Sequence, residues 1–380
     1  MNPADYTNTD AGWVVQTPQG YAAFVPAPLP PELVYDPVLV LALSRADAAL
    51  SELAGLGRTL PNPHLLIQPY VRREAVLSSR IEGTWADVAD VLLDELVEPG
   101  QAVEEDLREV RNYITALEYG IGRLAELPLS LRLVREIHGK LLEGVRGNVA
   151  TPGEFRRSQN WIGAPGSTLA TAAYVPPPVE HLMDCLSDWE RFAHERDTLP
   201  ELIQCALLHE RFEAIHPFLD GNGRVGRLLI TLFLIERGRL DQPLLYLSEY
   251  IEAHRQGYYD SLQRVRTHAD WRGWLLYFLE GVAVTAKKGV VQAGKLFALR
   301  EELREKLRSK PRAVALLDAL FDNPYVTALR VQELLGVSDP TARQVILYLE
   351  REGVLVEKTG RSWGKVYVAT PILTALEARS

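Results

Sequence analysis

The sequence is poor in cysteine, in long apolar runs and in positive charge, and each shortage closes off a class of protein. Cys185 and Cys205 are the only cysteines in 380 residues. That excludes a disulfide scaffold, fits a reducing compartment and matches no metal-binding spacing. The longest strongly apolar run, Leu228 to Ile235, is eight residues with Thr231 inside it and Arg227 and Glu236 at its ends. A membrane-spanning helix needs about 20. Met1 to Trp13 has neither a basic start nor an apolar stretch, so no export signal is read and the expected location is cytoplasmic. Lys plus Arg number 41 against 50 Asp plus Glu, a net charge of −9, which argues against a general nucleic-acid coat.

What is present is ordinary globular composition, 47% hydrophobic and 24% charged, enough for two or three domains of about 150 residues. The first 37 residues, with Pro26, Pro28, Pro30 and Pro31, read as an extended arm, because proline lacks an N–H and has a fixed φ. Amphipathic helical spacing follows at Pro37–Gly55, Arg72–Val97, Glu104–Leu127 and Ser130–Leu142. Glu98-Pro99-Gly100 reads as a helix stop. No strand-rich region is expected before residue 160. Asn160 to Pro178 reads as a hairpin or flap, after which helices are expected at Val179–His194, Pro200–Ala214, Arg224–Arg237, His254–Arg266 and from Trp271 toward Arg308. Lys310-Pro311 reads as a linker. Beyond it, helices at Arg312–Phe321, Arg330–Leu335 and Pro340–Gly353 precede strands at Val354–Lys358 and Lys365–Val368, the order of a winged helix-turn-helix. The fold class is therefore mostly α, with expected divisions at 1–110, 111–309 and 310–380.

The chemistry concentrates in His216-Pro-Phe-Leu-Asp-Gly-Asn-Gly-Arg-Val-Gly-Arg227. Gly221 and Gly223 allow a tight turn and close approach to a ligand. A helix begins straight after them, so its first N–H groups and positive dipole end point into the loop, an anion site. Arg224 and Arg227, three apart, share a face and can fork onto phosphate oxygens. Asp220 would repel a bare phosphate but suits a Mg²⁺ between the two. His216, with an ordinary pKa near 6.5, suits a general base. Read singly, each of these residues also fits a plain helix–loop–helix with capping side chains.

Together they resemble the Fic (filamentation induced by cAMP) family signature, H-x-F-x-[DE]-G-N-G-R-x-x-R. His216, Phe218, Asp220, Gly221, Asn222, Gly223, Arg224 and Arg227 fill every defined position, a coincidence of about one in 10¹⁰ by chance. The resemblance implies a Fic-type helical core and a protein adenylyltransferase, which moves AMP from ATP to a Ser, Thr or Tyr hydroxyl. It implies His216 as the base and Asp220 as the Mg²⁺ ligand. Gly221, Asn222, Gly223 and Gly226 would belong to the nucleotide site, with Arg224 and Arg227 on the β- and γ-phosphates. Tyr258-Tyr259 resembles a tyrosine pair beside adenine, with Tyr258 the candidate for the base. Ile137-His138, Leu141 to Gly147 and Pro152 to Trp161, with Gly153 and Arg156, resemble the approach to the family's flap, and residues 161–175 would hold a target backbone as an added strand.

A second pattern, [ST]-x-x-x-E-[GN], is met by Ser78, Glu82 and Gly83. Of the four Glu-Gly pairs, at Glu82, Glu143, Glu280 and Glu352, Glu82 alone has Ser or Thr four residues earlier. The resemblance implies a subclass with an N-terminal inhibitory helix, whose glutamate pairs with Arg227 and blocks the γ-phosphate position. It also implies as partners a target protein, the chain itself as an acceptor and a second copy in a homodimer. Alternatives are an enzyme that removes AMP, with Glu82 positioning water, and a nucleotide-sensing DNA-binding regulator. For the latter, residues 311–380 hold eight basic and eight acidic residues, a weak footprint for phosphate. Gly289 to Lys295 spells the start of a P-loop but is followed by Leu296 and preceded by no strand, and is set aside. His209, His138, Cys185 and Cys205 read as packing residues.

Overall fold

The computed structural model describes residues 1–59, 64–96, 104–145, 151–164 and 166–377. The expected stop at Glu98-Pro99-Gly100 and the Arg146-Gly147 end of the approach to the flap lie outside them. The expectation of an extended arm with no strand-rich region is corrected. A 3-10 turn at Pro3–Asp5 leads into β1 (Gly12–Gln16) and β2 (Ala22–Pro26), which pair antiparallel with Trp13 opposite Val25 and Val14 opposite Phe24. Strand β1 precedes the proline cluster and β2 ends on its first member, Pro26, and β2 buries Ala23, Phe24 and Val25. The Phe24 N–H donates to the Val175 carbonyl, so the hairpin braces the flap.

The helices follow in two packed groups. The first comprises α1 (Pro37–Thr59), α2 (His64–Ile81), α3 (Val88–Asp94), α4 (Glu105–Arg123), α5 (Leu131–Leu141), α6 (Val179–His194), α7 (Glu201–Ile215) and α8 (Asn222–Glu236). It continues with α9 (Ser248–Ala253), α10 (Arg255–His268) and α11 (Trp271–Leu307). Helices α7 and α8 are buried on nearly every side, which is why α8 reads as a continuous apolar run and not as an amphipathic stripe. They are the centre of a single core running from Leu29 to Ala286, with α1 laid along α11 outside them.

The helix expected over Arg72–Val97 is two helices. The chain leaves α2 at Ile81 and turns through Gly83, whose φ of +99° an L side chain rarely adopts. It re-enters at α3 with a reciprocal Asp87–Asp90 capping box. Apolar spacing carries on across the break and hides it.

The second group holds α12 (Pro311–Asp322), β3 (Tyr325–Thr327), α13 (Ala328–Leu335), α14 (Asp339–Arg351), β4 (Val356–Glu357), β5 (Val366–Val368) and α15 (Thr370–Glu377). Its three short strands are ordered β3-β5-β4. Strand β3 and helix α15 are additions to the sequence reading. The two cores do not meet at residue 310. The first ends at Ala286 and the second begins at Ala293, both inside α11. Gly289 and Gly294 lie in the same unbroken helix, so no P-loop forms there. Among the described residues no helix is long and apolar enough to cross a membrane.

Candidate active site

The loop from His216 to Gly221 joins the two most buried helices, and its shape is set by hydrogen bonds to the main chain. His216 ends α7 in the left-handed region, with φ 49° and ψ 60°, and Gly221 precedes α8 with φ +77°. The Asn222 side chain closes the loop on itself. Its Oδ1 accepts from the Phe218 N–H at 2.8 Å, and its Nδ2 donates to the Phe218 carbonyl at 2.8 Å. Asn160 donates to the carbonyls of Phe218 (2.7 Å) and His216 (3.0 Å), and Arg156 Nε donates to the His216 carbonyl at 3.1 Å. His138 stacks on Phe218 with ring centres 3.7 Å apart, and its Nε2 lies 3.1 Å from the Asp220 carbonyl. It is a packing residue, as expected. So is His209, which lies between the Gly226 carbonyl (3.1 Å) and the Tyr258 hydroxyl (2.8 Å).

Burial and the nearby Arg266 and Arg156 charges push the His216 pKa down to about 3, against a smaller upward pull from Glu82. The imidazole is therefore neutral throughout the physiological range, the form that accepts a proton. Its Nδ1 is buried without a well-aligned hydrogen bond, although the Glu213 carbonyl lies nearby. Glu213, one turn earlier, has an unpartnered buried Oε1, and burial raises its carboxyl to about 7 despite the pull of Arg227.

The first turn of α8 has no side-chain cap, and Arg224 and Arg227 both fold back into the protein from it. Arg227 donates from Nε to Ser78 Oγ at 2.8 Å, from Nη2 to the Ser78 carbonyl at 2.9 Å, and from Nη2 to Glu82 Oε1 at 2.8 Å. Burial raises the Glu82 pKa and the Arg227 charge lowers it; the net direction is down, so the pair is ionic. The Glu82 side chain remains 35% exposed, against 2% for Arg227. A Cβ placed on Gly223 would lie 2.2 Å from Glu82 Oε1. The carboxylate thus rests directly over the glycine whose openness the anion site requires.

Two of the expected placements are corrected. Tyr258 is 2% exposed and packed against His209 and Trp274, so its ring is not open to a base; Tyr259, at 42%, is the exposed member of the pair. Gly226 faces away from the anion site: a Cβ there would meet Glu213 Oε1 at 2.5 Å and Phe212 at 3.3 Å, so this glycine lets α7 and α8 approach. The Asn222 side chain is taken up by Phe218, which leaves its main chain for any cradle. Among its described residues the flap is slighter than a hairpin, with a single Ile162–Tyr174 bridge. Glu109, which the sequence did not single out, pairs with Arg224 at 3.0 Å.

Among the described residues no group of three or more His, Cys, Asp or Glu is placed to hold a metal ion. Asp220 lies at the mouth of the loop, 57% exposed, with Oδ1 accepting from the Gly221 N–H at 2.6 Å. A single exposed carboxylate fits a Mg²⁺ that takes its remaining ligands from phosphate and water.

Comparison with known proteins places this geometry. Residues 40–122 match the Fic/DOC family N-terminal model and residues 128–234 the Fic/DOC family model, together half of the chain. Two curated relatives are named protein adenylyltransferase Fic. The one from Drosophila yakuba is 29% identical over 164 residues, and the one from Drosophila virilis is 31% identical over 165. Each match takes in 42% of this chain and 31% of the relative, so the chain spans about a third of the relatives' length. A Fic family protein from Desulfovibrio desulfuricans has the same fold, with a TM-score of 0.55 and 21% identity over 90% of this chain and 98% of that one. Fic-1 from C. elegans gives 0.53 and 21% over 70% and 75%. With its signature loop at the start of α8 and both family models matched in order, the chain belongs to the Fic/DOC family.

Proposed function

We propose that the chain is a protein adenylyltransferase held in check by Glu82. The observation that carries this reading is the junction of three groups at one helix end: neutral His216, the uncapped first turn of α8, and Glu82 resting on Gly223 and Arg227. In the reaction, His216 takes the proton of a target hydroxyl. The oxygen attacks the α-phosphorus of ATP, and pyrophosphate leaves with the electrons of the broken P–O bond. Arg224, Arg227 and the α8 main chain hold the triphosphate, so positioning and charge neutralisation supply most of the rate. Asp220 would hold Mg²⁺, which supplies further neutralisation of the phosphates.

Glu82 competes with the phosphate for Arg227. A hydrogen bond to a charged group is worth about 1.5–3 kcal/mol, roughly 10- to 100-fold in occupancy, with solvent at the open side favouring the lower figure. The pattern [ST]-x-x-x-E-[GN] acquires a physical reading. The serine holds the arginine from the helix, the glutamate covers it, and the glycine permits the turn at φ +99° that lets the glutamate reach. For residues 311–377, helices α12, α13 and α14 with strands ordered β3-β5-β4, ahead of a fourth helix α15, support the winged-helix reading. Arg343 of α14 is paired with Asp339 of its own helix at 2.8 Å. Mass spectrometry of lysate proteins incubated with ATP and the Glu82→Gly chain tests the reading. The expected product carries one added AMP on a hydroxyl residue, and a different added group, or none, would replace adenylyl transfer with another chemistry.

A further inference from the structure

The two arginines of α8 are each met by a carboxylate, but at different depths. Glu82 lies over the mouth of the anion site, 35% exposed and close above Gly223. Glu109 projects from α4 and meets Arg224 from within, with side-chain exposures of 15% and 5%. It takes Arg224 Nη1 alone; Nη2 points back to the rim, 3.7 Å from Asp220 Oδ1. A guanidinium gripped at its inner nitrogen, with its outer one toward the mouth, is held for a ligand, whereas one covered at the mouth is denied to it.

The same oxygen of Glu109 has a second donor. Thr84 Oγ1 donates to Glu109 Oε2 at 2.7 Å, and Arg224 Nη1 donates to that atom at 3.0 Å. Thr84 is buried and lies two residues after Glu82. The neighbouring Trp85 N–H donates to Asp106 Oδ2 at 2.8 Å, so the turn after α2 is fastened to α4 at two successive residues. Trp85 itself, 85% exposed, contributes little packing to that attachment.

Building on the adenylyltransferase reading, we propose that Glu109 is the positioning residue for Arg224, and that Thr84 ties the seating of the inhibitory turn to it through one shared oxygen. With the turn seated, Glu109 Oε2 is divided between hydroxyl and guanidinium. When the turn lifts, that oxygen serves Arg224 alone, and the arginine is held more firmly as ATP enters. Release of Glu82 from Arg227 and preparation of Arg224 are then two parts of one movement.

The test measures ATP affinity by calorimetry beside transfer of labelled AMP, with thermal melting as the check on folding. In the Glu82→Gly background, Glu109→Gln should weaken ATP binding and raise the KM for ATP about tenfold, with kcat changing less than threefold. Glu109→Asp should recover part of the loss. Thr84→Val, made in the otherwise unaltered chain, should raise transfer about threefold and should have no such effect once Glu82 is gone. Tighter ATP binding by Glu109→Gln would make Glu109 a second blocker and overturn the proposal. Unchanged binding in a chain that melts normally would overturn it equally. Failure of the adenylyltransferase reading is separate: it is the absence of AMP transfer by the Glu82→Gly chain itself, whatever its affinity for ATP.

Discussion

The proposed base and the proposed phosphate site lie at opposite ends of one short loop, and they are held in different ways. Around His216 the holding groups, Asn160, Arg156 and Asn222, bond to main-chain carbonyls and an N–H, and none occupies the imidazole. Around Arg227 the holding groups, Ser78 and Glu82, come from α2 and the turn after it, and they occupy the donors that a phosphate needs. The base is built in place; the anion site is built and then covered. On the proposed reading, activity can thus be governed at the arginine while the groups that hold His216 stay in place.

The strongest way to break this comparison is at the base. His216→Ala, in the Glu82→Gly background, should lower AMP transfer by at least about a hundredfold while ATP affinity stays within about threefold. An equal loss of affinity would mean the two ends are not independent. Glu82→Gly alone should raise transfer about tenfold or more and tighten ATP binding in step. Unchanged labelling by radioactive ATP would remove Glu82 from the regulation altogether.

A smaller effect is expected at Ser78, whose hydroxyl accepts from Arg227 Nε while its carbonyl accepts from Nη2. Ser78→Ala removes the first bond and leaves the second. Transfer should change by about two- to fivefold, consistent with about 0.5–1 kcal/mol for one of several hydrogen bonds to the same group. Smallest of all is the response to pH. Because the His216 pKa is held down near 3, transfer by the Glu82→Gly chain at saturating ATP should fall less than twofold from pH 8 to pH 6. A base with the ordinary value would be mostly protonated at the lower end. The linked stability has a definite sign. A histidine whose folded pKa lies below its unfolded one costs stability as pH falls from 6.5 toward 3, since the unfolded chain binds the proton first.

The site was legible where the chemistry is contiguous. Twelve residues carried the base, the loop, the carboxylate and both arginines, and the [ST]-x-x-x-E-[GN] pattern marked Ser78 and Glu82, which the fold brings onto Arg227. Glu109 was hidden because its role depends on where α4 crosses α8, and an exposed-looking acid on an amphipathic helix carries no mark of that. Tyr258 and Gly226 were misplaced for a related reason: spacing gives the face of a helix but not whether a neighbour covers it. Helices α6 to α8 and α10 to α14 were legible within a few residues because their burial is periodic or continuous, whereas the short α9 and α15 were not. The break after Ile81 was not, since its apolar spacing continues and a lone Glu-Gly is a weak stop. The hairpin β1–β2 was missed because proline further along gave the whole segment an extended cast.

Helix α11 has a consequence for the molecule's cooperativity. At about 1.5 Å per residue, its 37 residues run roughly 55 Å, and one half belongs to each core. Arg72 adds a cross-tie, bonding Glu95 at 2.6 Å and Asp322 at 3.2 Å, so that α2 is joined to α12 directly. Neither core can melt without stripping a wall from the other. A cut at residue 310 would leave Ala293, Leu296, Leu303 and Leu307 without their partners. Heating should therefore give one calorimetric transition, and amide protection along α11 should decay as a single block instead of stepping down at the end of the helix.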